Sequence, residues 1–260
     1  LCVHEGQIED PIYNGAVSPL YMATAYSYKK GDMYPRYFNT PNQVGLSKKI
    51  SSLENAEETL VFGSGMAAIS TSLLSFLSSG DHVIFQPDLY GGTRNFAIEH
   101  LNTYGIEYSF ADSTNLNDFS SKIKDNTKVI YVESPSNPLM KIIDLKGISE
   151  LANDHKIITM IDNTFASPVN QNPITLGIDI VIQSATKYLG GHSDILAGSV
   201  SSSKKNIESV FSVGKSLGGN LSDYTVWLLE RSLKTLFVRV AKQNKNANEL
   251  AHHLQNHDCI

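Results

Sequence analysis

The segment DIVIQSATKYLGGHSDILAGSV, residues 179–200, places a lysine close behind an apolar run. The run DIVIQS is typical of a strand buried on both faces, because it is short and almost continuously apolar. Lys187 follows it after small residues and precedes a glycine pair. We interpret this lysine as held rigid and dehydrated beyond the end of a buried strand, a setting that favours its neutral, nucleophilic form.

Short apolar runs of the same kind recur before this segment and alternate with helical stretches. The predicted strands are TLVF, HVIFQ, IEYSFA, KVIYVE, IITMID and DIVIQS. The predicted helices between them are SGMAAISTSLLSFL, TRNFAIEHL, LNDFSSKI and DLKGISELANDH. Apolar strands separated by helices indicate an α/β fold, with a mostly parallel sheet covered by helices on both faces.

The chain divides into three predicted parts. Residues 1–40 are rich in Pro, Tyr and Gly without helical periodicity, which indicates an extended N-terminal arm. Residues 41–218 are predicted to form the α/β domain, and its first helix begins after Thr40, within a T-x-x-Q capping box. Residues 219–260 are predicted to be one long linking helix and the start of a smaller C-terminal α/β domain, whose remainder we expect beyond this sequence.

Composition and charge argue against several classes of function. The net charge is −5 and the Lys and Arg residues do not cluster, so neither nucleic acid nor an anionic membrane is an expected partner. The uncharged residues 59–80 include many Ser, Gly and Thr residues, which indicates buried core and not a membrane span. Cys2 and Cys259 have no zinc or disulfide spacing, so we predict no metal site and a reducing, cytoplasmic compartment.

Polar side chains follow several predicted strands at the point where each strand ends. Asp162 ends IITMID, and Glu133 ends KVIYVE with Asn137 close behind. Ser184 and Thr186 follow the last strand in the same way. Each residue alone is also typical of a turn or a solvated surface. Their coincidence at strand ends predicts a ligand site, because open parallel sheets bind ligands beyond the carboxyl ends of their strands.

The motif GSGMAA, residues 63–68, follows a predicted strand and opens a helix. Its G-x-G-x-x-A spacing, with Asp88 further on, matches a dinucleotide-binding fingerprint, so an NAD-dependent oxidoreductase is one possible function. The underlying physics is more general, because glycine lets the backbone approach a ligand and the N–H groups of a helix N-terminus bind any phosphate. The motif therefore indicates a phosphate more firmly than it indicates NAD.

Pyridoxal 5′-phosphate gives a role to more of these residues than NAD does. This cofactor needs a lysine for a Schiff base, a carboxylate that keeps its pyridine nitrogen protonated, and a phosphate-binding turn. Lys187, Asp162 and the SGM helix start supply these three groups. The NAD hypothesis leaves both Lys187 and Asp162 without a role.

Several longer motifs point to one family of such enzymes. The segments SATKYLGGHSD, ESPSNP, IDNTFASP, DLYGGT and YPRYFNTPN occur in order along the chain. Together they resemble the Cys/Met-metabolism (transsulfuration) family of pyridoxal-phosphate enzymes, which includes cystathionine lyases and cystathionine γ-synthase. The resemblance implies the aspartate-aminotransferase-like fold, known as fold type I.

The resemblance also implies roles for single residues around the cofactor ring. Lys187 matches the lysine that forms the internal aldimine, and Asp162 matches the carboxylate that pairs with the pyridine nitrogen. Tyr90 matches the aromatic residue stacked on the ring, and Asn137 the amide near its phenolic oxygen. Lys187, Tyr90 and Asp162 are the residues that the resemblance marks as catalytic.

A second group of residues is implied to bind the cofactor phosphate. Tyr34 and Arg36 resemble a Tyr-x-Arg pair that reaches the phosphate of the neighbouring subunit. The resemblance therefore implies a homo-oligomer, a tetramer built as a dimer of dimers, in which the active site is shared. Within one chain, the phosphate is expected to contact Gly65, Met66, Ser184 and Thr186.

The implied function is that of a carbon–sulfur lyase acting on cystathionine by β- or γ-elimination. Cystathionine γ-synthase or O-acyl-homoserine sulfhydrylase activity is the alternative, so the expected small-molecule partner is a sulfur amino acid or a homoserine ester. Methionine γ-lyase is less expected, because Gly92 stands where those enzymes typically carry a cysteine. The arginine for the substrate carboxylate and residues that help separate β- from γ-chemistry are expected beyond residue 260. A chain that is inert on its own is therefore a third hypothesis.

Overall fold

The described part of the chain, residues 1–255, 257, 258 and 260, folds around a seven-stranded sheet in this computed structural model. Cys259 lies outside the described residues. The strands are β1 (Glu58–Phe62), β2 (His82–Phe85), β3 (Glu107–Phe110), β4 (Thr127–Glu133), β5 (Ile158–Asp162), β6 (Ile180–Gln183) and β7 (Gly198–Ser202). The helices are α1 (Pro41–Glu54), α2 (Gly65–Phe76), α3 (Gly91–Glu99), α4 (Leu116–Ser120), α5 (Leu145–His155), α6 (Ser167–Asn170), α7 (Lys204–Leu217), α8 (Asp223–Leu233) and α9 (Leu236–Gln255). Short 3₁₀ turns occupy Tyr28–Lys30, Pro35–Tyr37, Leu101–Tyr104 and Pro173–Leu176.

The sheet has the strand order β1-β7-β6-β5-β4-β2-β3. The strands β2 to β6 pair in parallel, whereas β7 runs antiparallel to both of its neighbours, β1 and β6. This arrangement confirms the predicted mostly parallel sheet. The carboxyl ends of β4, β5 and β6 consequently meet at one edge of the sheet, where these strands end in Glu133, Asp162 and Gln183.

Helices cover both faces of the sheet, as predicted. On one face, Val129 and Tyr131 of β4 belong to a core cluster that also contains residues of α2 and α7. On the other face, Ile130 and Val132 belong to a cluster with residues of α4 and α5. Because side chains alternate along a strand, burial on both faces explains why the strand sequences are continuously apolar.

The first helix begins with the predicted capping box. The Gln43 N–H donates to Thr40 Oγ1 at 3.2 Å, and the Thr40 N–H donates to Gln43 Oε1 at 3.2 Å. Thr40 Oγ1 also donates to an oxygen of Asp223 at the start of α8. The helix then buries Leu46 and Ile50, which ties the N-terminal end of the domain to its core.

Three elements, β7, the one-turn helix α6 and α7, were not predicted. The strand GSVSS of β7 carries small polar side chains, yet every residue in it is buried. Residue 198 must be glycine, because a Cβ there would lie 2.2 Å from the Ser64 carbonyl oxygen. Helix α7 is capped by Ser203 and buries Ile207 and Val210 against the sheet.

The single long helix predicted within residues 219–260 is wrong. The described residues form two helices, α8 and α9, separated at Lys234 and Thr235. The backbone N–H groups of these two residues donate to the carbonyls three positions earlier, of Arg231 and Ser232. That 3₁₀-type pattern tightens the end of α8 and separates it from α9.

Residues near the start of the chain pack against the helices α1 and α8. The Trp227 indole N–H of α8 donates to the Ser18 carbonyl at 2.8 Å. Lys49 of α1 is fully buried, and its Nζ donates to the carbonyls of Cys2 and Val3 at 3.3 and 3.1 Å. No helix in the described part of the chain is long and apolar enough to cross a membrane.

Candidate active site

A cavity of about 360 Å³ lies at the carboxyl ends of β4, β5 and β6. This position is where an open parallel sheet is expected to bind a ligand. Most of the predicted site residues line it. They are Gly65, Met66, Tyr90, Asn137, Asp162, Ser184, Thr186 and Lys187.

Lys187 lies in a tight turn after β6. Its N–H donates to the Ser184 carbonyl at 3.1 Å, and its carbonyl accepts from the Gly191 N–H at 2.7 Å. The lysine is exposed at the cavity, so the predicted dehydrated setting is wrong. The reason is that the strand ends at Gln183, so Lys187 belongs to the turn that follows, where Ala185 is buried and Lys187 is exposed.

Arg239 of α9 lies outside the cavity and holds this turn in place through hydrogen bonds. Its Nη1 donates to the Tyr188 carbonyl at 2.7 Å, and its Nη2 donates to the Leu189 carbonyl at 3.4 Å. Gly191 has a φ of +72°, and a Cβ there would lie 2.1 Å from Arg239 Nη1. The guanidinium therefore occupies the space beside the turn that follows Lys187. Sequence reasoning missed Arg239, because no local pattern links it to the lysine.

The start of α2 forms one end of the cavity. Ser64 is the N-cap, and its Oγ accepts from the Ala67 N–H at 3.0 Å. Within the described chain, the N–H groups of Gly65 and Met66 have no hydrogen-bond partner. A Cβ on Gly65 would lie 2.8 Å from the Ser184 Cβ, so the helix start and this serine are in close contact. Free N–H groups at a helix N-terminus bind anions.

Thr186 has partners of its own. Its Oγ1 donates to the Ala197 carbonyl at 3.1 Å and accepts from the Ala197 N–H at 3.0 Å. This pair of hydrogen bonds joins the lysine turn to the residue before β7. A phosphate contact from the Thr186 hydroxyl group therefore requires its hydrogen to rotate away from Ala197.

Asp162 is a buried carboxylate at the end of β5. Burial raises its pKa, and the Thr164 N–H, which donates to Oδ1 at 3.0 Å, offsets part of that effect. None of the salt bridges between described residues includes Asp162. A buried carboxylate without a cation, on the wall of a cavity, is suited to a cationic group of a ligand.

A match to a known family explains why the lysine, the buried carboxylate and the free helix N-terminus occur together in this cavity. Residues 1–260 match the family described as "Cys/Met metabolism PLP-dependent enzyme". The chain belongs to this family. It is thus an enzyme, its cofactor is pyridoxal 5′-phosphate, and the resemblance seen in the sequence motifs is confirmed.

Individual members of the family are similar over the whole fold. The chain is 41% identical to a cystathionine gamma-lyase of Bacillus subtilis, covering 100% of this chain and 70% of that protein. It is 40% identical to a cystathionine beta-lyase, MetC, of the same organism, covering 95% of this chain and 64% of that protein. The solved structure of a cystathionine gamma-lyase from Lactobacillus plantarum, complexed with L-serine, superposes with a TM-score of 0.94 at 34% identity, covering 99% of this chain and 68% of that one. This structural similarity confirms the predicted fold type.

The cavity fits the cofactor of the family. Asp162 offers a buried anion for the pyridine nitrogen, and the Gly65 and Met66 N–H groups offer donors for the phosphate. Lys187 is exposed to the same cavity and is free to bond to the aldehyde. These three features occupy separate walls formed by β5, α2 and the turn after β6.

Tyr90 and Asn137 lie on a further wall and share one partner, Glu133. The Tyr90 N–H donates to Glu133 Oε2 at 2.7 Å, and the Asn137 N–H donates to Glu133 Oε1 at 2.8 Å. Burial and the nearby Asp162 carboxylate raise the pKa of Glu133 to about 7. From the sequence, Glu133 was noted only as the polar residue that ends a predicted strand. Its contact with Tyr90 was not predictable, because Tyr90 lies 43 positions away in the chain and follows β2, whereas Glu133 ends β4.

Tyr34 and Arg36 do not line this cavity. Arg36 stacks on the Tyr34 ring, with its Cζ 5.3 Å from the ring centroid, and its Nη1 donates to the Lys215 carbonyl at 2.6 Å. Both residues thus lie beside the end of α7. Their expected contact with a phosphate of a neighbouring subunit stays a prediction.

The cavity wall also includes residues that the sequence reasoning did not single out. Thr164 is one of them, and its Oγ1 accepts from the Ser184 N–H at 2.7 Å, which joins the ends of β5 and β6. The motif IDNTFASP contained this residue, so a signal for it was present. The other such residues are Ser64, Ile69, Phe165, Tyr188 and Leu196.

Proposed function

We propose that the protein is a carbon–sulfur lyase that cleaves cystathionine by β- or γ-elimination. The observation that carries this proposal is the presence of Asp162 and Lys187 in one cavity, with a free helix N-terminus beside them. A lyase fits this arrangement because one amine can bind the cofactor and then, once displaced, reach a proton of the substrate. The similarity to both kinds of cystathionine lyase supports the choice of substrate.

Each residue has a defined task in this proposal. Asp162 holds a proton on the pyridine nitrogen, because a buried anion stabilises the cationic form. The Gly65 and Met66 N–H groups anchor the phosphate, with help from the hydroxyl groups of Ser184 and Thr186. The bound cofactor supplies an electron sink for the charge that develops on the substrate.

In this proposal, Lys187 and Tyr90, which line the same cavity, carry out the proton transfers. The Lys187 amine removes the proton from the substrate α-carbon. Direct loss of the sulfur group then gives β-elimination, whereas γ-elimination requires a further proton to leave the β-carbon. Lys187 and Tyr90 are the groups that move this second proton, while the Asn137 amide orients the cofactor.

The proposal extends to assembly and location. Residues 1–40 form an arm that reaches a second subunit, where Tyr34 and Arg36 contact the cofactor phosphate. The position of Arg36 outside the cavity of its own chain supports this role. We accordingly propose a homotetramer with shared active sites in the cytoplasm. Residues 41–218 would be the cofactor domain and residues 219–260 the connection to a C-terminal domain.

Product analysis after incubation with cystathionine tests the proposed reaction. Pyruvate with homocysteine indicates β-elimination, and 2-oxobutyrate with cysteine indicates γ-elimination. The Lys187→Ala variant should form neither pair, whereas Lys146→Ala, which changes an exposed lysine of α5, should match the wild type. Release of no product, together with replacement activity on an activated homoserine ester, would contradict the lyase and favour the synthase.

A further inference from the structure

Glu133 is part of the cavity wall, and both of its carboxylate oxygens accept hydrogen bonds. One oxygen accepts the Tyr90 N–H at 2.7 Å and the other accepts the Asn137 N–H at 2.8 Å. Tyr90 is the N-cap of α3, and Asn137 lies in the segment after β4, so the carboxylate joins two separate elements. Both elements carry side chains that line the cavity.

The backbone of Glu133 is itself held in place by Gln86. The Glu133 N–H donates to Gln86 Oε1 at 2.8 Å, and Gln86 Nε2 donates to the Glu133 carbonyl at 2.7 Å. The same Nε2 donates to the Asp88 carbonyl at 2.6 Å. Gln86 is fully buried, so these bonds are shielded from water. The carboxylate therefore projects from a backbone position that is fixed on both sides.

Burying a carboxylate at this position costs free energy, because the charge is removed from water. The presence of the carboxylate therefore points to a specific use. Glu133 is only 5% exposed and lies in register with Asp162 on the adjacent strand, so two acidic groups face the same small region. Two N–H groups directed at one side chain require two acceptors and no donor. Glutamate meets that requirement, whereas glutamine would direct an NH₂ group at one of the N–H groups.

We propose that Glu133 is a positioning residue that sets the placement of Tyr90 and Asn137 against the bound cofactor. The carboxylate fixes the start of α3 and the segment after β4 relative to each other. This fixes the distance between the Tyr90 ring and the Asn137 amide along the wall that they share. The inference rests on the cofactor contacts of Tyr90 and Asn137 that are part of the proposed function.

The test compares Glu133→Gln with Glu133→Asp in the holoenzyme. Glu107→Gln is the matched control, because Glu107 also accepts side-chain hydrogen bonds but lies on β3, away from the cavity. Glu133→Gln should weaken cofactor binding roughly tenfold and change the visible circular dichroism of the bound cofactor. Glu133→Asp keeps the charge but is one methylene shorter, so it should resemble Glu133→Gln. The control should match the wild type in both measurements.

The outcomes separate this inference from the proposed function. A wild-type protein without a cofactor on Lys187 would contradict the proposed function itself. A wild type with bound cofactor, and a Glu133→Gln variant with the same affinity and the same visible circular dichroism, would overturn only the role of Glu133. Full restoration of both properties by aspartate would also overturn it, because charge alone would then suffice. If Glu133→Gln fails to fold while the control folds, Glu133 is structural and the proposal is wrong.

Discussion

Asp162 and Glu133 lie side by side at the carboxyl ends of adjacent parallel strands, with their Cα atoms in register. Both carboxyl groups are buried, and burial raises the pKa of each. The two acids have different surroundings, because Glu133 accepts two backbone N–H groups and Asp162 accepts one. In the proposed function, the strand pairing thus places the positioning acid, Glu133, next to Asp162, the acid that would pair with the cofactor nitrogen.

Replacing Asp162 with asparagine should have opposite effects on activity and on the stability of the cofactor-free protein. Turnover should fall by roughly a hundredfold or more, because asparagine is neutral and does not hold a proton on the cofactor nitrogen. The free energy of unfolding without cofactor should rise by about 1 kcal/mol, because a buried carboxylate without a cation is removed. Steady-state kinetics and urea denaturation measure the two effects. Asp154→Asn, at an exposed site of α5, should change neither.

The Gly65→Ala variant should weaken cofactor binding. The new Cβ would lie 2.8 Å from the Ser184 Cβ, so the helix start must move away from the phosphate position. We expect the cofactor dissociation constant to rise about tenfold, as measured by equilibrium dialysis. Gly63→Ala is the matched control, because its Cβ would make only ordinary contacts at 3.6 and 3.7 Å. Equal affinities for the two variants would show that the contact with Ser184 is irrelevant to binding.

The Gly92→Ala variant should displace the Tyr90 ring. A Cβ at residue 92 would lie 2.6 Å from Tyr90 Cε1 and 3.1 Å from Met66 Sδ. We expect a loss in kcat of about tenfold, since the ring no longer stacks in its original position. Gly91→Ala introduces the same methyl group into open space and should retain wild-type kinetics. Unchanged kcat in Gly92→Ala would mean that the position of Tyr90 does not limit the reaction.

The Arg239→Lys variant should loosen the lysine turn. Lysine keeps the positive charge but lacks the planar guanidinium group, whose two terminal nitrogens donate to the Tyr188 and Leu189 carbonyls. We expect kcat to fall several-fold while the cofactor remains bound, because the phosphate and Asp162 contacts are unaffected. Arg231→Lys, at an exposed position of α8, is the control. Loss of the cofactor itself would contradict this assignment.

Glu54 should make the stability of the protein depend on pH. It is fully buried, its Oε1 accepts from Gln183 Nε2 at 2.7 Å, and burial raises its pKa from 4.5 to about 8. Between these values the folded protein keeps a proton that the unfolded chain releases. The free energy of unfolding should therefore fall as the pH rises from 4.5 to 8, by about 1.4 kcal/mol per pH unit from this group.

The Glu54→Gln variant isolates this effect, because glutamine does not titrate. The difference in unfolding free energy between wild type and variant should change with the predicted slope when urea denaturation of the cofactor-free proteins is repeated across the pH range. A difference that is constant with pH would rule out a protonated Glu54 in the folded state.

Much of the fold could be predicted from sequence because its main signals are local. Every apolar run that was assigned to a strand is a strand, and the capping box at Thr40 starts α1. The strand β7 was missed because its fit depends on a distant contact, the approach of Gly198 to the Ser64 carbonyl. The break between α8 and α9 was missed because Lys234 and Thr235 carry no strong helix-breaking signal.

The site was predictable where motifs mark it and unpredictable where long-range hydrogen bonds build it. Lys187, Asp162 and the helix start at Gly65 were identified from residue type and strand position. Glu133 and Arg239 act through contacts with segments 43 and 51 residues away, which no local pattern encodes. The exposure of Lys187 was not predictable from the apolar run either, because it is set by the turn after β6, in which Ala185 is buried and Lys187 is exposed.

The bond between Lys187 and the cofactor is the central claim, and borohydride reduction of the holoenzyme followed by peptide mass spectrometry tests it most directly. Reduction makes the lysine–cofactor bond permanent, so the modified peptide identifies the lysine. The account predicts a single modified peptide that contains Lys187, and no modified peptide from Lys187→Ala. Modification of another lysine, or of none, would contradict it.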